Sequence, residues 1–247
     1  MRFLEKSFRS LSSYVLPTAC IAGGLFQKHA MCKRCLEALK TDGLLNYECC
    51  TRCGVTLQQP EIQRCLCMQC ITNPPTYDAT ICLDRYNGIL QTGLHRFKYQ
   101  KRIAFAHGLA HAWNQILTER LKEQSADYLL PVPLSTEKLV ARGFNQSWEL
   151  ARRIHCAPNI QKSSYILRRH HYSEHQAGGT RVDRQISIRG MFYIEPTYLE
   201  LLEGKTVIVF DDVMTSGATL NEIGRILKDN GVLRIINWVL LRTSRST

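Results

Sequence analysis

The residues best equipped for chemistry lie in one run, Thr206-Val-Ile-Val-Phe-Asp-Asp-Val-Met-Thr-Ser-Gly-Ala-Thr219. An apolar stretch ends there in two carboxylates, Asp211 and Asp212, and passes into a hydroxyl-rich loop. Adjacent carboxylates accept hydrogen bonds from vicinal sugar hydroxyls, and either can hold Mg2+ directly or through water. The loop's backbone N–H groups, with the hydroxyls of Thr215, Ser216 and Thr219, can converge on a phosphate, and Gly217 permits close backbone approach. The chemistry implied is recognition of a phosphorylated sugar. A Walker-type ATPase also places acidic residues after an apolar strand, but no G-x-x-x-x-G-K-[ST] element is present. Gly204-Lys205-Thr206 imitates its end, while Leu199 stands where the first glycine is required.

A second cluster of reactive side chains lies upstream. Nine of the eleven cysteines fall between Cys20 and Cys70. Tight C-x-x-C pairs aim two thiolates at one ion, and two pairs close a tetrahedral site. Cys50-x-x-Cys53 and Cys67-x-x-Cys70, separated by 13 residues, have the spacing of a zinc ribbon and are expected to hold structural Zn2+. Cys49 and Cys65 are alternative ligands by a shift of one or two positions. Nearer the N-terminus, Cys20, Cys32 and Cys35 resemble a second ribbon in which Gly23 replaces a ligand, with His29 a candidate for the fourth. The module has too few apolar residues for a core of its own, so its folding should depend on metal.

These groups need elements to hold them. Val207–Phe210 is continuously apolar, the pattern of a central parallel strand covered on both faces, and it puts Asp211 and Asp212 at its carboxyl end. Leu220, Ile223, Ile226 and Leu227 recur at helical spacing, predicting a helix that ends near Gly231, with Thr215 to Thr219 at its N-terminus. Asp78–Tyr86 reads as a strand, Tyr86-Asn87-Gly88 as a turn, and Ile103–Leu121 as a helix with Trp113 in the core. Tyr128–Leu134 is a short strand with two prolines, followed by Arg142-Gly143-Phe144-Asn145-Gln146 and a helix through Ile154. A strand, a basic glycine-containing loop and a helix in that order make Arg142 and Gly143 candidates for a diphosphate subsite. A solvated basic loop capped by Asn145 is the alternative.

Three segments are expected: an amphipathic helix at 1–16, a cysteine-rich (double) zinc-ribbon module at 17–75, and an α/β domain at 76–247, with Pro74-Pro75 as the boundary. Glu5, Lys6 and Arg9 interrupt any apolar signal core, and no apolar run approaches the roughly 20 residues that cross a bilayer. The expectation is a cytoplasmic protein without a membrane span. Net charge is +11, and residues 138–190 carry ten Lys/Arg against three Asp/Glu, a local +7. Such a field suits a polyanionic sugar phosphate and a nucleic-acid backbone equally.

The run around Asp211 and Asp212 resembles the phosphoribosyl pyrophosphate (PRPP) loop of type I phosphoribosyltransferases. That resemblance implies a Rossmann-like, mostly parallel sheet, and a ribose held by Asp211 and Asp212, which would also steady the charge of a transfer reaction. It further implies a 5-phosphate wrapped by Thr215, Ser216, Gly217, Ala218 and Thr219, with Mg2+ accompanying PRPP. Together with the cysteine pairs, Tyr86-Asn-Gly88, Lys98-Tyr99, Pro131-Val-Pro-Leu134 and Arg142-Gly-Phe-Asn-Gln146, the chain looks like the ComF family of competence-associated, phosphoribosyltransferase-like proteins. That likeness runs from about Cys20 to Leu241 and implies single-stranded DNA and other DNA-uptake proteins as partners. Arg168–Arg189 resembles the loop that closes over PRPP, with Gln176 and Arg184 matching and Ser187 departing from the pattern. Tyr99, Phe144, Trp148 and Tyr172 are the aromatics available for base stacking. An active phosphoribosyltransferase or PRPP sensor without a DNA role is the alternative.

Overall fold

The structure is a computed structural model that describes residues 18–24, 26–27, 30–122, 124–170 and 188–244 of the 247. The 1–16 segment, His29, Tyr172, Gln176, Arg184 and Ser187 lie outside the described residues.

Five strands form one parallel sheet: β3 (Ala79–Arg85), β4 (Tyr128–Pro131), β5 (Gln161–Lys162), β8 (Thr206–Met214) and β9 (Arg234–Arg242), in the order β3-β9-β8-β4-β5. Two small antiparallel pairs accompany it, β1 (Thr18–Ala19) with β2 (Phe26–Gln27), and β6 (Leu167–Arg169) with β7 (Phe192–Ile194). β8 is longer than its apolar run. Its ladder with β9 continues through Asp211↔Val239 to Met214↔Arg242, so the two carboxylates stand inside the strand and not beyond its end. The reason is β9, whose eight consecutive buried residues supply partners past Phe210.

Pro131 fits inside β4 because its N faces β5, and the β5 ladder has already ended at Leu129↔Lys162. Each sheet face carries its own core. On one, Leu129, Ile208, Phe210, Ile236 and Trp238 pack with helices α3 (Gln91–Tyr99), α4 (Ala104–Leu121) and α6 (Gln146–Ala151). Trp113 of α4 lies edge-on to Phe210 at 5.5 Å and is fully buried, as expected of a core residue. On the other face, Leu130, Val207, Val209, Ile235 and Val239 pack with helix α8 (Ala218–Asp229), β6 and β7. Leu220, Ile223, Ile226 and Leu227 form the buried side of α8.

α6 follows β4 onto one face and α8 follows β8 onto the other. The chain therefore diverges between the carboxyl ends of β4 and β8, which is where open α/β sheets form their ligand crevice.

The cysteine-rich segment, with helices α1 (Lys33–Asp42) and α2 (Met68–Thr72), shares these cores. Ile21, Met31 and Leu39 join the first and Leu44 and Val55 the second. A Cβ at Gly108 of α4 would meet Ile21 Cγ2 at 2.6 Å, so that helix accepts the module only through glycine. Past the proline pair the chain is pinned to α8: Thr76 donates its N–H to Asn221 Oδ1 at 2.8 Å and its hydroxyl to the Asn221 carbonyl at 2.6 Å. Arg52 Nη1 reaches the carbonyls of Pro75 and Tyr77, both at 3.4 Å.

Candidate functional site

At the divergence point the two carboxylates are held differently. Asp212 is 3% exposed and pairs with Lys98, Nζ to Oδ2 at 2.8 Å, the lysine arriving from the last turn of α3. Asp211 Oδ1 accepts the Ser147 hydroxyl at 3.3 Å and the Asp212 N–H at 2.9 Å. Burial, then the adjacent Asp212 carboxylate, push the Asp211 carboxyl up to about 7, against the opposing pull of Lys98. Lys98 thus pairs with one of the two neighbouring carboxylates, while the other is held by Ser147 and the Asp212 N–H.

The loop beyond β8 is shaped by glycine. Gly217 has φ +80°, and a Cβ there would meet Met214 Cε at 2.6 Å and the Tyr77 hydroxyl at 3.2 Å. Gly217 stands at the N-cap of α8 without a side-chain capping bond, and the first turn carries no acidic residue. The N–H groups of that turn and the positive end of the helix dipole face the loop, an arrangement that favours an anion. Ser216 Oγ accepts the Ala218 N–H at 3.3 Å, a local bond that tightens the turn.

The loop between β4 and α6 forms the opposite wall. Ser135 caps helix α5 (Thr136–Arg142), and Gly143, at φ +81°, ends it. Asn145 caps α6, accepting the Trp148 N–H at 3.2 Å and donating to the Val132 carbonyl at 3.0 Å. Capping by Asn145 was one of the two readings of this loop; the structure adds that Arg142 lies over the exposed Tyr99 ring at 5.5 Å, beside the Lys98 end of α3. Of the four aromatics considered for stacking, Phe144 is withdrawn: it is buried against Phe97 at 5.0 Å, an apolar contact that outweighs exposure. Trp148 packs partly buried against the same core, while Tyr99 is 63% exposed.

Two sulfur clusters complete the inventory. The Sγ atoms of Cys50, Cys53, Cys67 and Cys70 all lie within 4.8 Å of one another, and all four residues are buried. Cys53 and Cys67 are 3.6 Å apart, close to the ~3.8 Å edge of a tetrahedron with ~2.3 Å metal–sulfur bonds. Gly54, at φ +69°, closes the knuckle by donating to the Cys50 carbonyl at 2.8 Å, and Cys50 donates to the Val55 carbonyl at 2.8 Å. This tetrad could hold a metal ion. Cys49 and Cys65, the alternatives by register, belong to neither of the clusters found among the described residues.

Cys20, Cys32 and Cys35 form the second cluster. The N–H groups of Gly23 and Cys32 point at Cys20 Sγ, each at 3.3 Å, and that of Cys35 at Cys32 Sγ at 3.4 Å. A Cβ at Gly23 would sit 3.1 Å from Cys35 Sγ and 4.0 Å from Cys20 Sγ. Glycine therefore occupies the corner from which a fourth thiolate would reach.

Sequence reasoning missed the Lys98–Asp212 pair. A lysine late in an amphipathic helix looks like any solvated charge, and only the α3–β8 packing brings it inward. Arg242 was missed too. It is 8% exposed, with Nε 2.9 Å from the Cys53 carbonyl and Nη1 3.1 and 2.5 Å from the carbonyls of Met214 and Thr215. A charged residue closing a run of apolar strand positions was the available signal.

Residues 143–247 match the model of the phosphoribosyl transferase domain. Competence protein F of Haemophilus influenzae is 28% identical over 220 residues, 87% of this chain and 91% of that protein. DNA utilization protein YhgH of Escherichia coli K12 is 27% identical over 223 residues, 86% and 90% of the two chains. Competence protein ComFC of Bacillus subtilis is 25% identical over 228 residues, 85% and 89%. No helix among the described residues is long and apolar enough to cross a membrane. With its parallel sheet, its acidic pair at the divergence point and a cysteine cluster compatible with a zinc ribbon, the chain is a homologue of the ComF-type competence and DNA-utilization proteins, built on a type I phosphoribosyl transferase domain.

Proposed function

We propose that the chain is a cytoplasmic DNA-handling protein of natural transformation that binds PRPP with Mg2+ in the β4/β8 crevice and single-stranded DNA on the basic surface beside it. The observation that carries the reading is the pairing, on one strand end, of Asp211 and Asp212 with a glycine-shaped helix N-terminus at Gly217.

The residues fit such a ligand. Asp211 has one oxygen engaged by the Ser147 hydroxyl and the Asp212 N–H, so the other is suited to a ribose hydroxyl. Gly217 stands at φ +80°, a conformation an L side chain rarely adopts, so glycine lets the backbone wrap a 5-phosphate there without strain. Thr215, Ser216 and Thr219 add hydroxyl donors, and Arg142 and Gly143 flank the side on which a diphosphate would lie. When bound, Mg2+ supplies charge neutralisation of the diphosphate. The tetrad Cys50, Cys53, Cys67 and Cys70 is assigned to structural Zn2+, the metal that tetrahedral thiolate sites select.

DNA contact is assigned to the exposed Tyr99 ring with Arg142 over it, a stacking platform joined to a phosphate-binding cation. In the alternative reading, an acceptor attacks the ribose C1 and Asp211 and Asp212 stabilise developing positive charge. The placement of two adjacent carboxylates at the crevice is the feature that favours it.

Titrating a fluorescent single-stranded oligonucleotide into the metal-loaded protein, with and without Mg2+–PRPP, tests the reading. Binding that PRPP alters in the native protein and leaves unaltered in the Asp211→Ala/Asp212→Ala variant is the expected result. Absence of DNA binding at low salt, where phosphate contacts are strongest, overturns the DNA role and leaves the transferase or sensor.

A further inference from the structure

Arg242 ends β9 with a buried guanidinium, and every hydrogen bond it makes among the described residues ends on a neutral oxygen. Nε donates to the Cys53 carbonyl at 2.9 Å. Nη1 donates to the carbonyls of Met214 at 3.1 Å, Thr215 at 2.5 Å and Thr243 at 2.9 Å. One side of the fork thus grips the cysteine knuckle and the other grips the two peptides that lead out of β8 into the phosphate loop. A peptide unit is planar and trans, so its C=O and N–H point in opposite directions. Carbonyls of Met214 and Thr215 turned inward to the guanidinium turn the N–H groups of Thr215 and Ser216 outward, toward the anion side of the loop.

A second strut runs in parallel. Tyr77 is 3% exposed, its hydroxyl lies close beneath Gly217, and it packs in the same buried cluster as Cys50, Cys53, Cys67 and Cys70. The charge balance agrees. Four thiolates on a divalent ion carry a net −2, and a buried cation without a carboxylate partner among its hydrogen bonds is stabilised by such a neighbour.

We propose that Arg242 is a positioning residue which makes the phosphate loop depend on the Cys50/Cys53/Cys67/Cys70 centre: metal fixes the knuckle, the Cys53 carbonyl fixes the guanidinium, and the guanidinium orients the Thr215 and Ser216 peptides. PRPP binding would then be gated by metal occupancy although no cysteine touches the ligand. This inference rests on the proposed phosphate role of the loop, and its structural part can be tested without any ligand.

The experiment uses the full chain in four forms: metal-loaded, chelator-treated, Arg242→Met and Arg242→Lys. Metal content is measured by elemental analysis, backbone order by hydrogen exchange of peptides spanning 211–222 and, as a control, 128–134, and PRPP affinity by calorimetry with Mg2+. Arg242→Met should retain the metal and its protection at 128–134, exchange at least tenfold faster across 211–222, and bind PRPP at least tenfold more weakly. Arg242→Lys, which keeps the charge and loses the fork, should fall between Arg242→Met and the native chain. Chelation should loosen the same 211–222 peptide. Exchange across 211–222 that is unchanged by both chelation and Arg242→Met overturns the coupling. Failure of the native protein to bind PRPP while 211–222 still responds would overturn the ligand assignment and leave the mechanical link standing. If Arg242→Met does not fold, Arg242→Lys with native metal content carries the test: unchanged exchange there is the contrary result.

Discussion

Lys98 Nζ stands 2.8 Å from Asp212 Oδ2, with the two side chains 14% and 5% exposed, and this pair joins the last turn of α3 to the carboxyl-terminal part of β8. Removing one partner of a buried pair leaves an uncompensated charge, which costs far more than removing both. Lys98→Ala should therefore destabilise the protein by about 3 kcal/mol in urea denaturation. The Lys98→Ala/Asp212→Ala double variant should recover a substantial part of that loss. Equal, additive losses in the cycle would mean the two side chains do not interact in solution.

The Asp211 carboxyl gives a pH signature. Its folded value of about 7 lies above its ordinary 3.8, so between those values the folded chain holds a proton that the unfolded chain has released. Stability contributed by this group is full below about pH 4 and falls as pH rises through about 7. Asp211→Asn, which keeps the shape without the charge, should raise the melting temperature at pH 8 by several degrees, at about 2–4 °C per kcal/mol for a chain of this size. The gain should vanish near pH 4. PRPP binding moves the opposite way, since an ionised carboxylate accepts a ribose hydroxyl's hydrogen bond more strongly than a protonated one, and should strengthen in the native protein from pH 6 to pH 8.

Gly217 is at φ +80°, where an L side chain costs about 1–2 kcal/mol. Gly217→Ala adds a Cβ 2.6 Å from the end of the flexible Met214 side chain, which can shift. Stability should fall by that ~1–2 kcal/mol of strain, while PRPP affinity should drop more than tenfold because the loop's N–H groups lose their common focus. A parallel, small loss in both would argue against an anion at this helix end.

Metal counting separates the two sulfur clusters. Elemental analysis should find one tightly held equivalent of Zn2+ that Cys53→Ser or Cys67→Ser abolishes, together with a lower melting temperature. Cys35→Ser should leave that equivalent in place. Gly23→Cys should add a second, because its Cβ falls 3.1 Å from Cys35 Sγ. A Gly23→Cys protein with unchanged metal content would show that the Cys20/Cys32/Cys35 group is a packing cluster.

What the sequence revealed follows from which interactions are local. The core strand, the α8 helix and the Cys50/Cys53 knuckle announce themselves through apolar runs, helical spacing and a C-x-x-C-G turn, each a property of neighbours in the chain. β8 outran its apolar stretch because Asp211 to Met214 are held by the ladder to β9, a nonlocal partner that no pattern in 206–219 encodes. Phe144 looked available for stacking because its loop is basic, but Phe97, 47 positions away, buries it. The pairing of Lys98, noted only as part of a motif, and the role of Arg242 stayed hidden for the same reason: their meaning lies in Asp212 and in the Cys53 and Thr215 carbonyls, all brought near only by the finished fold.

The most direct measurement is isothermal titration of PRPP with Mg2+ into the metal-loaded full chain and into its Asp211→Ala/Asp212→Ala variant. Saturable binding near one ligand per chain, abolished in the variant while its circular dichroism and metal content stay native, is the result this account predicts. Heat indistinguishable from dilution in the native protein, or equal binding in the variant, would contradict a phosphoribosyl site at the end of β8.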